Sequence, residues 1–230
     1  MKDPLIIIPA RGGSKGIPGK NWKLLCDKPL IKYTLEAALE VTSKNRILVS
    51  TDSEEIRKVA EDLGIKVPKL RPKALATDTT STYDVLLYEI KILENKKEFF
   101  DSFILLQPTS PLRSGKHIKE ALTLFDNNLD MVVSVKETKS NPYYVLKEEN
   151  SDGFLIQSKA SNSIRRQDVP KVWELNGAIY IINTQSLKRE PLNKFRKVKK
   201  FVMDEVSSLD IDTMLDWQVA ERLIKDINGQ

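Results

Sequence analysis

Residues Leu5–Asn21 have the sequence LIIIPARGGSKGIPGKN, and this stretch decides the fold class. Its first part, Leu5–Ala10, is a short apolar run rich in isoleucine, which is typical of a strand buried on both faces of a sheet. A glycine-rich loop follows at once, and Pro29–Val41 then carries apolar residues at helical spacing. A strand, a loop and a helix in this order predict the start of a βαβ unit.

The remaining sequence repeats the alternation of strand and helix. Further strands are predicted at Arg46–Ser50, Ile65–Leu70, Ser102–Gln107, Asp130–Val135 and Ala178–Ile182. Further helices are predicted at Ser53–Leu63, Thr82–Glu94, Gly115–Phe125 and Thr213–Ile227. The pattern predicts one α/β domain over residues 1–230, with three layers in which helices cover both faces of a mostly parallel, mixed sheet. Ligands bind such sheets beyond the carboxyl ends of the strands, so a site is expected in the loops after Ala10, Ser50, Leu70 and Leu106.

Some details of the helices are predicted as well. Asp52 and Glu55 have the spacing of a capping box at the start of the second helix, and Gly64 is expected to end that helix. In the last helix the apolar face is expected to consist of Leu215, Val219, Leu223 and Ile227.

The segment Glu137–Leu175 interrupts the alternation. It contains turn-forming residues, and its stretches Tyr143–Leu146 and Phe154–Ile156 are expected to pair as a hairpin. These features predict an inserted arm that acts either as a lid or as a contact between subunits.

The composition excludes several classes of protein. The 230 residues include 37 Lys+Arg and 32 Asp+Glu, giving a net charge of +5, and 40% of them are hydrophobic. No apolar run approaches the ~20 residues that span a bilayer, and a single cysteine excludes an internal disulfide framework. Because Met1–Pro4 lack the apolar segment of a secretory signal, a cytoplasmic protein without a membrane partner is expected.

The excess positive charge is spread along the chain rather than gathered in one stripe. Its densest patch, Lys194–Lys200, is expected to be a solvated face, so no nucleic-acid partner is expected. A small polyanionic substrate is compatible with the charge balance.

The loop after the first strand has the composition of a phosphate-binding loop. Its glycines allow a ligand to approach the backbone closely, and Arg11, Lys15 and Lys20 supply three cations. Exposed backbone amides and cations together suit a triphosphate. Ser14 and Asn21 stand where a Walker A loop requires glycine and Ser/Thr, so the loop is not of that type.

Two carboxylates, Asp210 and Asp212, lie two residues apart near the other end of the chain. In extended backbone their side chains share one face, and hard oxygen ligands at this spacing suit Mg²⁺. The alternative is that Asp212 only caps the last helix.

Other polar segments are weaker signals on their own. Gln107–Arg113 (QPTSPLR) is a polar turn leaving a buried strand, which fits a binding loop or a simple turn. Arg165 and Arg166 fit anion recognition or surface charge. His117 has no partner signature of a hydrolase and is expected to be a surface residue.

Taken in order, the motifs resemble those of the CMP-N-acylneuraminate synthetases, the acylneuraminate cytidylyltransferases. The resemblance covers nearly the whole chain and is carried by IIPARGGSKGIPGKN, STDSEEI, RPKALATDTTST, QPTSPLR, RRQDVPK and NGAIYI. It implies the fold of the nucleotide-diphospho-sugar transferases and a homodimer joined through the inserted arm, residues 137–175. It also implies the reaction of CTP with a nine-carbon 2-keto acid sugar, giving the CMP-sugar and pyrophosphate.

The resemblance assigns roles to residues of this chain. It implies a nucleotide site formed by Ala10, Arg11, Gly12, Gly13, Ser14, Lys15, Asn21, Arg71, Ser81 and Thr82, where family members commonly carry serine in place of Thr82. It implies a sugar site formed by Gln107, Thr109, Ser110, Arg166, Asn176, Gly177 and Tyr180. Magnesium, the implied cofactor, is assigned to Asp210 and Asp212, and the catalytic residues are Arg11, Lys15, Lys20 and Asp212.

The sugar itself is left open by the sequence. The QPTSPLR turn favours N-acetylneuraminate, whereas Asn141–Tyr144 resembles a stretch in synthetases for legionaminic-type sugars. Legionaminic acid, KDN and the eight-carbon KDO are the alternatives. Proteins of other classes, a catalytically silent nucleotide-binding module or a nucleic-acid-binding protein, are less favoured.

Overall fold

The computed structural model describes residues 3–162 and 165–229. Its strands are β1 (Ile6–Pro9), β2 (Leu24–Leu25), β3 (Lys28–Pro29), β4 (Ile47–Ser50), β5 (Ser102–Leu105), β6 (Met131–Glu137), β7 (Lys147–Glu149), β8 (Leu155–Gln157), β9 (Trp173–Asn183) and β10 (Val198–Val202). Its helices are α1 (Leu30–Leu39), α2 (Glu54–Asp62), α3 (Thr82–Asn95), α4 (Gly115–Leu122), α5 (Thr184–Arg189) and α6 (Met214–Asn228).

Six strands form the central sheet, in the order β10-β6-β9-β5-β1-β4. β9 runs antiparallel to both of its neighbours, while the other pairings are parallel. The prediction of a mostly parallel, mixed sheet is therefore confirmed. The five parallel strands all end at one edge of the sheet, which is where ligands bind in folds of this kind.

Successive side chains of β1 point to opposite faces of the sheet, and each face has its own core. Ile6 and Ile8 pack with α1, α2 and α4, whereas Ile7 packs with α3 and α5. Helices therefore cover both faces, as predicted. A third cluster joins Ile17 of the glycine loop to Ile211 and to Trp217 of α6. Because burying a side chain of this size contributes about 2 kcal/mol, this cluster holds the loop against the segment that precedes α6.

The prediction of a strand at Ile65–Leu70 is wrong. This segment is irregular, although Ile65 and Val67 are buried in the core on one side of the sheet. Pro68 has no N–H to donate to a strand ladder, so alternate burial occurs here without strand pairing. The backbone N–H of Arg71 donates to the carbonyl of Thr51 (2.6 Å), which anchors the end of the segment beside the sheet.

The inserted arm contains a hairpin, but its strands are β7 and β8. The predicted first strand, Tyr143–Leu146, is largely a turn instead. Asn150 accepts bonds from the N–H groups of Asp152 and Phe154, and this places the reversal of the chain between the two short strands. β6 extends to Glu137 and β9 begins at Trp173, so both edges of the predicted arm belong to the central sheet.

The short elements β2, β3 and α5 and the edge strand β10 were not predicted. β10 overlaps the end of the basic patch, and its lysines are exposed. Lysines on an edge strand commonly prevent its pairing with other chains. They also interrupt the apolar pattern by which a strand is predicted from sequence, so β10 was not predicted. The expectation that this patch is a solvated face agrees with the exposure of Lys199 and Lys200.

The helix caps differ from the predictions in ways that affect the site. Ser53, not Asp52, caps α2 by accepting from the N–H of Ile56 (3.3 Å), which leaves Asp52 free for another contact. Gly64, with φ +76°, follows the end of α2 as predicted. Thr213, not Asp212, caps α6 in a reciprocal pair with Asp216, so the alternative that Asp212 is the cap is wrong.

The face of α6 that packs on the protein is formed by Trp217, Ala220 and Ile224. The predicted apolar face is wrong, because Leu215, Val219 and Ile227 on it are exposed. His117 is half-buried, and its Nδ1 accepts from the N–H of Ser114 (3.2 Å) at the start of α4. No helix in the described ranges is long and apolar enough to cross a membrane.

Candidate active site

A cleft of about 300 Å³ opens beyond the carboxyl ends of β1 and β5. The loop after β1 contributes Arg11, Gly13, Ser14, Lys20 and Asn21 to its walls. The segments after residue 70 and residue 106 contribute Arg71, Thr82, Gln107 and Thr109. Eight of the residues predicted to bind substrates, together with the predicted catalytic residue Lys20, therefore face one cavity.

The glycine loop is held by contacts that admit no larger residue at two positions. The N–H of Gly12 donates to Oδ1 of Asp52 (2.9 Å), and a Cβ at Gly12 would lie 2.8 Å from the Cβ of Ser53. A Cβ at Gly16 would lie 2.5 Å from the carbonyl oxygen of Asp212. The loop is therefore pressed against both the start of α2 and the carboxylate segment.

Asn21 closes the glycine loop from within. Its Nδ2 donates to the carbonyl of Arg11 (2.9 Å), while its buried Oδ1 has no hydrogen-bond partner. A buried acceptor without a partner is costly, and in a binding cleft a ligand donor can supply the missing bond.

Lys20 connects the glycine loop to the carboxylate pair. Its Nζ donates to the carbonyl of Ile211 (2.6 Å) and lies 3.2 Å from Oδ1 of Asp212. The N–H of Ile211 in turn donates to the carbonyl of Thr109 (2.9 Å). Segments that are nearly 200 residues apart in sequence thus meet at one point beside the cleft.

The two carboxylates have different environments. The pKa of Asp210 is raised, mainly by burial and also by the charge of Asp212, although a hydrogen bond from Thr109 acts in the opposite direction. Oδ1 of Asp210 is buried and has no hydrogen-bond partner. Asp212 is 75% exposed. The pair offers hard oxygen ligands with one acceptor unused, which fits a divalent cation that completes its shell with phosphate and water. No cluster of three or more metal-binding side chains occurs in the described part of the chain.

Asp78 is a charged residue of the cleft to which the sequence assigned no role. Its carboxylate lies 2.6 Å from Nη1 of Arg11 and 3.0 Å from Nζ of Lys15. Hydrogen bonds from Lys15 and then Arg11 lower the pKa of Asp78. The two cations expected to hold a triphosphate therefore share one carboxylate of the same chain, which offsets half of their charge.

Replacing Asp78 with asparagine is expected to lower the Kd for CTP about two- to fivefold. The ion pairs of Asp78 with Arg11 and Lys15 compete with binding of the phosphates to these cations. Each exposed pair is weak, but the substitution removes both. Asp101→Asn, which removes an exposed charge elsewhere, serves as the control. Calorimetric titration with CTP measures the effect. Weaker binding by Asp78→Asn alone would contradict competition and indicate that Asp78 holds its loop in place.

On the nucleotide side of the cleft, Arg71 is buried and its Nε has no partner. Burial lowers the pKa of its guanidinium. The hydroxyl of Ser81 is already used, because it accepts from the N–H of Asp84 (3.1 Å) at the start of α3 and donates to its carboxylate. Thr82, rather than Ser81, faces the cleft.

The residues predicted to bind the sugar divide into two groups. Gln107 and Thr109 face the cleft. Gly177 (φ +74°) touches the side chain of Gln107, since a Cβ there would lie 2.9 Å from Oε1, and Asp210 lies beside it. Burial and the nearby charge of Asp210 raise the pKa of Tyr180, which is half-buried on the same side.

Apart from Gln107 and Thr109, none of the residues predicted for the sugar site lines this cleft. Ser110 is fully buried. The amide of Asn176 is occupied, because Oδ1 accepts from Ser134 (2.5 Å) and Nδ2 donates to Ser208 (2.8 Å). Asn176 thereby ties β6 and β9 to the segment leading into Asp210. Arg166 is exposed in a short 3₁₀ turn of the arm, Arg166–Asp168.

Comparison with known proteins decides the family. A family model described as cytidylyltransferase matches residues 5–224. The chain belongs to the cytidylyltransferase family. This cytidylyltransferase is 36% identical to the CMP-N,N'-diacetyllegionaminic acid synthase of Legionella pneumophila over 223 residues, which are 96% of both chains. It is 39% identical to the N-acylneuraminate cytidylyltransferase of Streptococcus agalactiae serotype V, covering 93% of this chain and 51% of that relative.

A solved structure supports the fold assignment of the cytidylyltransferase. CMP:2-keto-3-deoxy-manno-octonic acid synthetase complexed with CTP superposes with a TM-score of 0.70 at 18% identity, covering 98% of this chain and 99% of that one. The predicted nucleotide-diphospho-sugar transferase fold is confirmed. The chain spans about half the length of the streptococcal relative and nearly the full length of the Legionella one. The protein is a nucleotidyltransferase, and its named relatives are CMP-sugar synthetases.

Proposed function

We propose that the protein transfers CMP from CTP to the anomeric hydroxyl of a nine-carbon 2-keto acid sugar, releasing pyrophosphate. The observation that carries this proposal is the meeting of the cationic glycine loop with Asp210 and Asp212 through Lys20, beside a wall formed by Gln107 and Thr109. The groups proposed to bind phosphate and metal thereby lie at one end of the cleft, beside the residues proposed to bind the sugar.

The residues of the cleft would act mainly by positioning and by charge. In the reaction the sugar hydroxyl attacks the α-phosphorus in line, and the P–O bond to pyrophosphate breaks on the opposite side. Arg11 and Lys15 would leave Asp78 to bind the phosphates that depart, and Lys20 would face the phosphate under attack. Preorganised cations at these places stabilise negative charge that develops in the transition state.

Asp210 and Asp212 would hold Mg²⁺, because carboxylate oxygens are ligands that this ion prefers and Oδ1 of Asp210 has no protein partner. The ion would supply Lewis-acid polarisation of the α-phosphate. Lys20 would keep Asp212 oriented towards the glycine loop until the nucleotide binds.

N-acetylneuraminate is the sugar we propose first, and the streptococcal N-acylneuraminate cytidylyltransferase supports it. A legionaminic-type sugar is the second candidate, since the legionaminic acid synthase matches 96% of both chains at 36% identity. Pyrophosphate release with CTP, Mg²⁺ and a panel of 2-keto acid sugars separates the two, with UTP and ATP as nucleotide controls. Absence of release with every sugar would overturn the proposed function.

The inserted arm supports a homodimer. The side chains of Phe154, Leu155 and Ile156 are exposed on and beside β8, and Val145 and Leu146 are exposed next to them. Apolar side chains so exposed on a thin hairpin have no core of their own to pack against, and groups of exposed apolar residues mark contact surfaces. A second copy of the chain is the occupant that we propose, and Arg166 on the same arm would then reach the partner's site.

Serine at both Phe154 and Leu155 is expected to convert the dimer to a monomer at micromolar concentration, because the apolar area that drives association is lost. Light scattering after size-exclusion chromatography measures the mass. Phe99→Ser, which alters an equally exposed apolar residue outside the arm, is the matched control. A doubly substituted protein that remains dimeric would exclude the arm as the contact.

A further inference from the structure

Arg113, at the end of the 107–113 loop, is the largest of the fully buried side chains in the described part of the chain. It is 2% exposed. Its Nη1 donates to the carbonyl oxygens of Gln107 and Ala178, each at 3.4 Å, while Nε and Nη2 have no hydrogen-bond partner. No acidic side chain of residues 3–162 or 165–229 forms an ion pair with it. Burial alone lowers the pKa of its guanidinium to about 9.

An arginine in this situation is unusual for a structural residue. Buried charges are normally paired, because removing an ion from water costs several kcal/mol and only a counter-charge offsets that cost. The two bonds that Arg113 makes are long, and the carbonyl of Gln107 also accepts weakly from Thr34 (3.5 Å). The contacts of Arg113 within the chain therefore do not account for its burial.

The two carbonyls that Arg113 binds belong to the sugar side of the cleft. Gln107 lines the cleft, and Ala178 follows Gly177, where an added Cβ would lie 2.9 Å from Oε1 of Gln107. The carboxylate of Asp210 also lies next to Gly177. The guanidinium thus joins the backbone of the 107–113 loop to the backbone of β9 next to Gly177.

We propose that Arg113 is a positioning residue that holds Gln107 against Gly177 and whose unpaired positive charge favours an acidic sugar at this wall. The inference deepens the proposed function and rests on it. A substrate carboxylate in the cleft supplies a negative charge on the side of Arg113 where no carboxylate of the described residues pairs with it. Across a water-excluded layer of protein such an attraction is stronger than in water.

Three variants test the role of Arg113. Arg113→Met keeps the unbranched apolar stem of the side chain and removes the charge, and Arg113→Lys keeps the charge but replaces the planar guanidinium with a shorter ammonium group. Arg222→Met removes an exposed arginine of α6 and controls for net charge. The measurements are the midpoint of thermal unfolding, the Kd for CTP, and kcat and KM for the sugar acid and for its neutral methyl ester.

For Arg113→Met, we expect an unfolding midpoint equal to or above that of the wild type, because an unpaired buried charge is removed. We expect kcat/KM for the sugar acid to fall about 100-fold, because displacing residues that position a substrate commonly lowers the rate by this factor. The loss for the methyl ester should be clearly smaller, and the Kd for CTP should stay within about threefold. Arg113→Lys should retain most of the preference for the acid over the ester.

The outcomes separate the inference from the function on which it rests. A lower unfolding midpoint in Arg113→Met, with CTP binding lost in parallel, would show a structural role and overturn the inference. Equal losses for acid and ester would overturn the electrostatic part of it. A wild-type protein that binds CTP but releases no pyrophosphate with any sugar would overturn the proposed function, whatever the midpoints of the variants.

Discussion

Lys20→Met is expected to lower kcat about 100- to 1,000-fold, the cost of removing one preorganised donor from a developing charge. Lys20 is 12% exposed at its side chain, and its Nζ contacts the carbonyl of Ile211 and the carboxylate of Asp212. No other lysine in the described ranges joins the glycine loop to the carboxylate segment. Its loss removes both the cation that we propose to face the phosphates and the contact that joins the glycine loop to the carboxylate segment.

Lys15→Met is the matched control for this effect. Lys15 belongs to the same loop and carries the same charge, but it is 78% exposed and pairs with Asp78. We expect about a tenfold reduction for it, since an exposed cation is screened by water. Steady-state pyrophosphate release gives kcat and KM for both variants, and circular dichroism verifies folding. Equal effects of the two substitutions would contradict the special position of Lys20.

Asp210→Asn and Asp212→Asn are each expected to reduce turnover about 1,000-fold, since each removes a carboxylate from the proposed magnesium site. The substitutions preserve side-chain volume, and neither residue caps α6, so the fold should persist. The Mg²⁺ concentration for half-maximal turnover should rise in both variants. Chelation of divalent cations should abolish wild-type turnover.

Asp152→Asn serves as the control for the carboxylate substitutions, because Asp152 lies in the turn of the arm hairpin and is exposed. It should leave both turnover and the Mg²⁺ requirement unchanged. Wild-type activity in Asp212→Asn, or an unchanged Mg²⁺ dependence in both variants, would exclude a metal role for the pair. The proposed contribution of Lys20 would survive that result.

The fold class was predictable because its main elements repeat a simple pattern of burial. β1 and β5 are buried on both faces and therefore consist almost wholly of apolar residues, which makes them visible in the sequence. β10 is an exposed, lysine-rich edge strand and lacks that signal. At Ile65–Leu70 the apolar pattern is present without a strand, because Pro68 prevents pairing while Ile65 and Val67 still enter the core.

The sequence indicates candidate site residues where a residue type alone suggests chemistry. The cations of the glycine loop and the pair Asp210 and Asp212 are proposed on that ground as ligands of a triphosphate and a divalent cation, and the structure places Lys20 of the loop beside Asp212. Asn176 illustrates the limit of this reasoning. Its sequence context resembles that of a sugar-binding residue, yet its amide is fully occupied inside the protein.

By itself the sequence determined the alternation of strands and helices, and it indicated the glycine-rich cationic loop and the carboxylate pair as candidate site residues, because each depends on neighbouring residues. Only the tertiary structure decided that Lys20 meets Asp212, that Asp78 neutralises Arg11, and that Arg113 is buried without a counter-charge. These are contacts between segments far apart along the chain. They depend on how packing of the core brings the loops together, and no local pattern of residues specifies which distant side chains then come into contact.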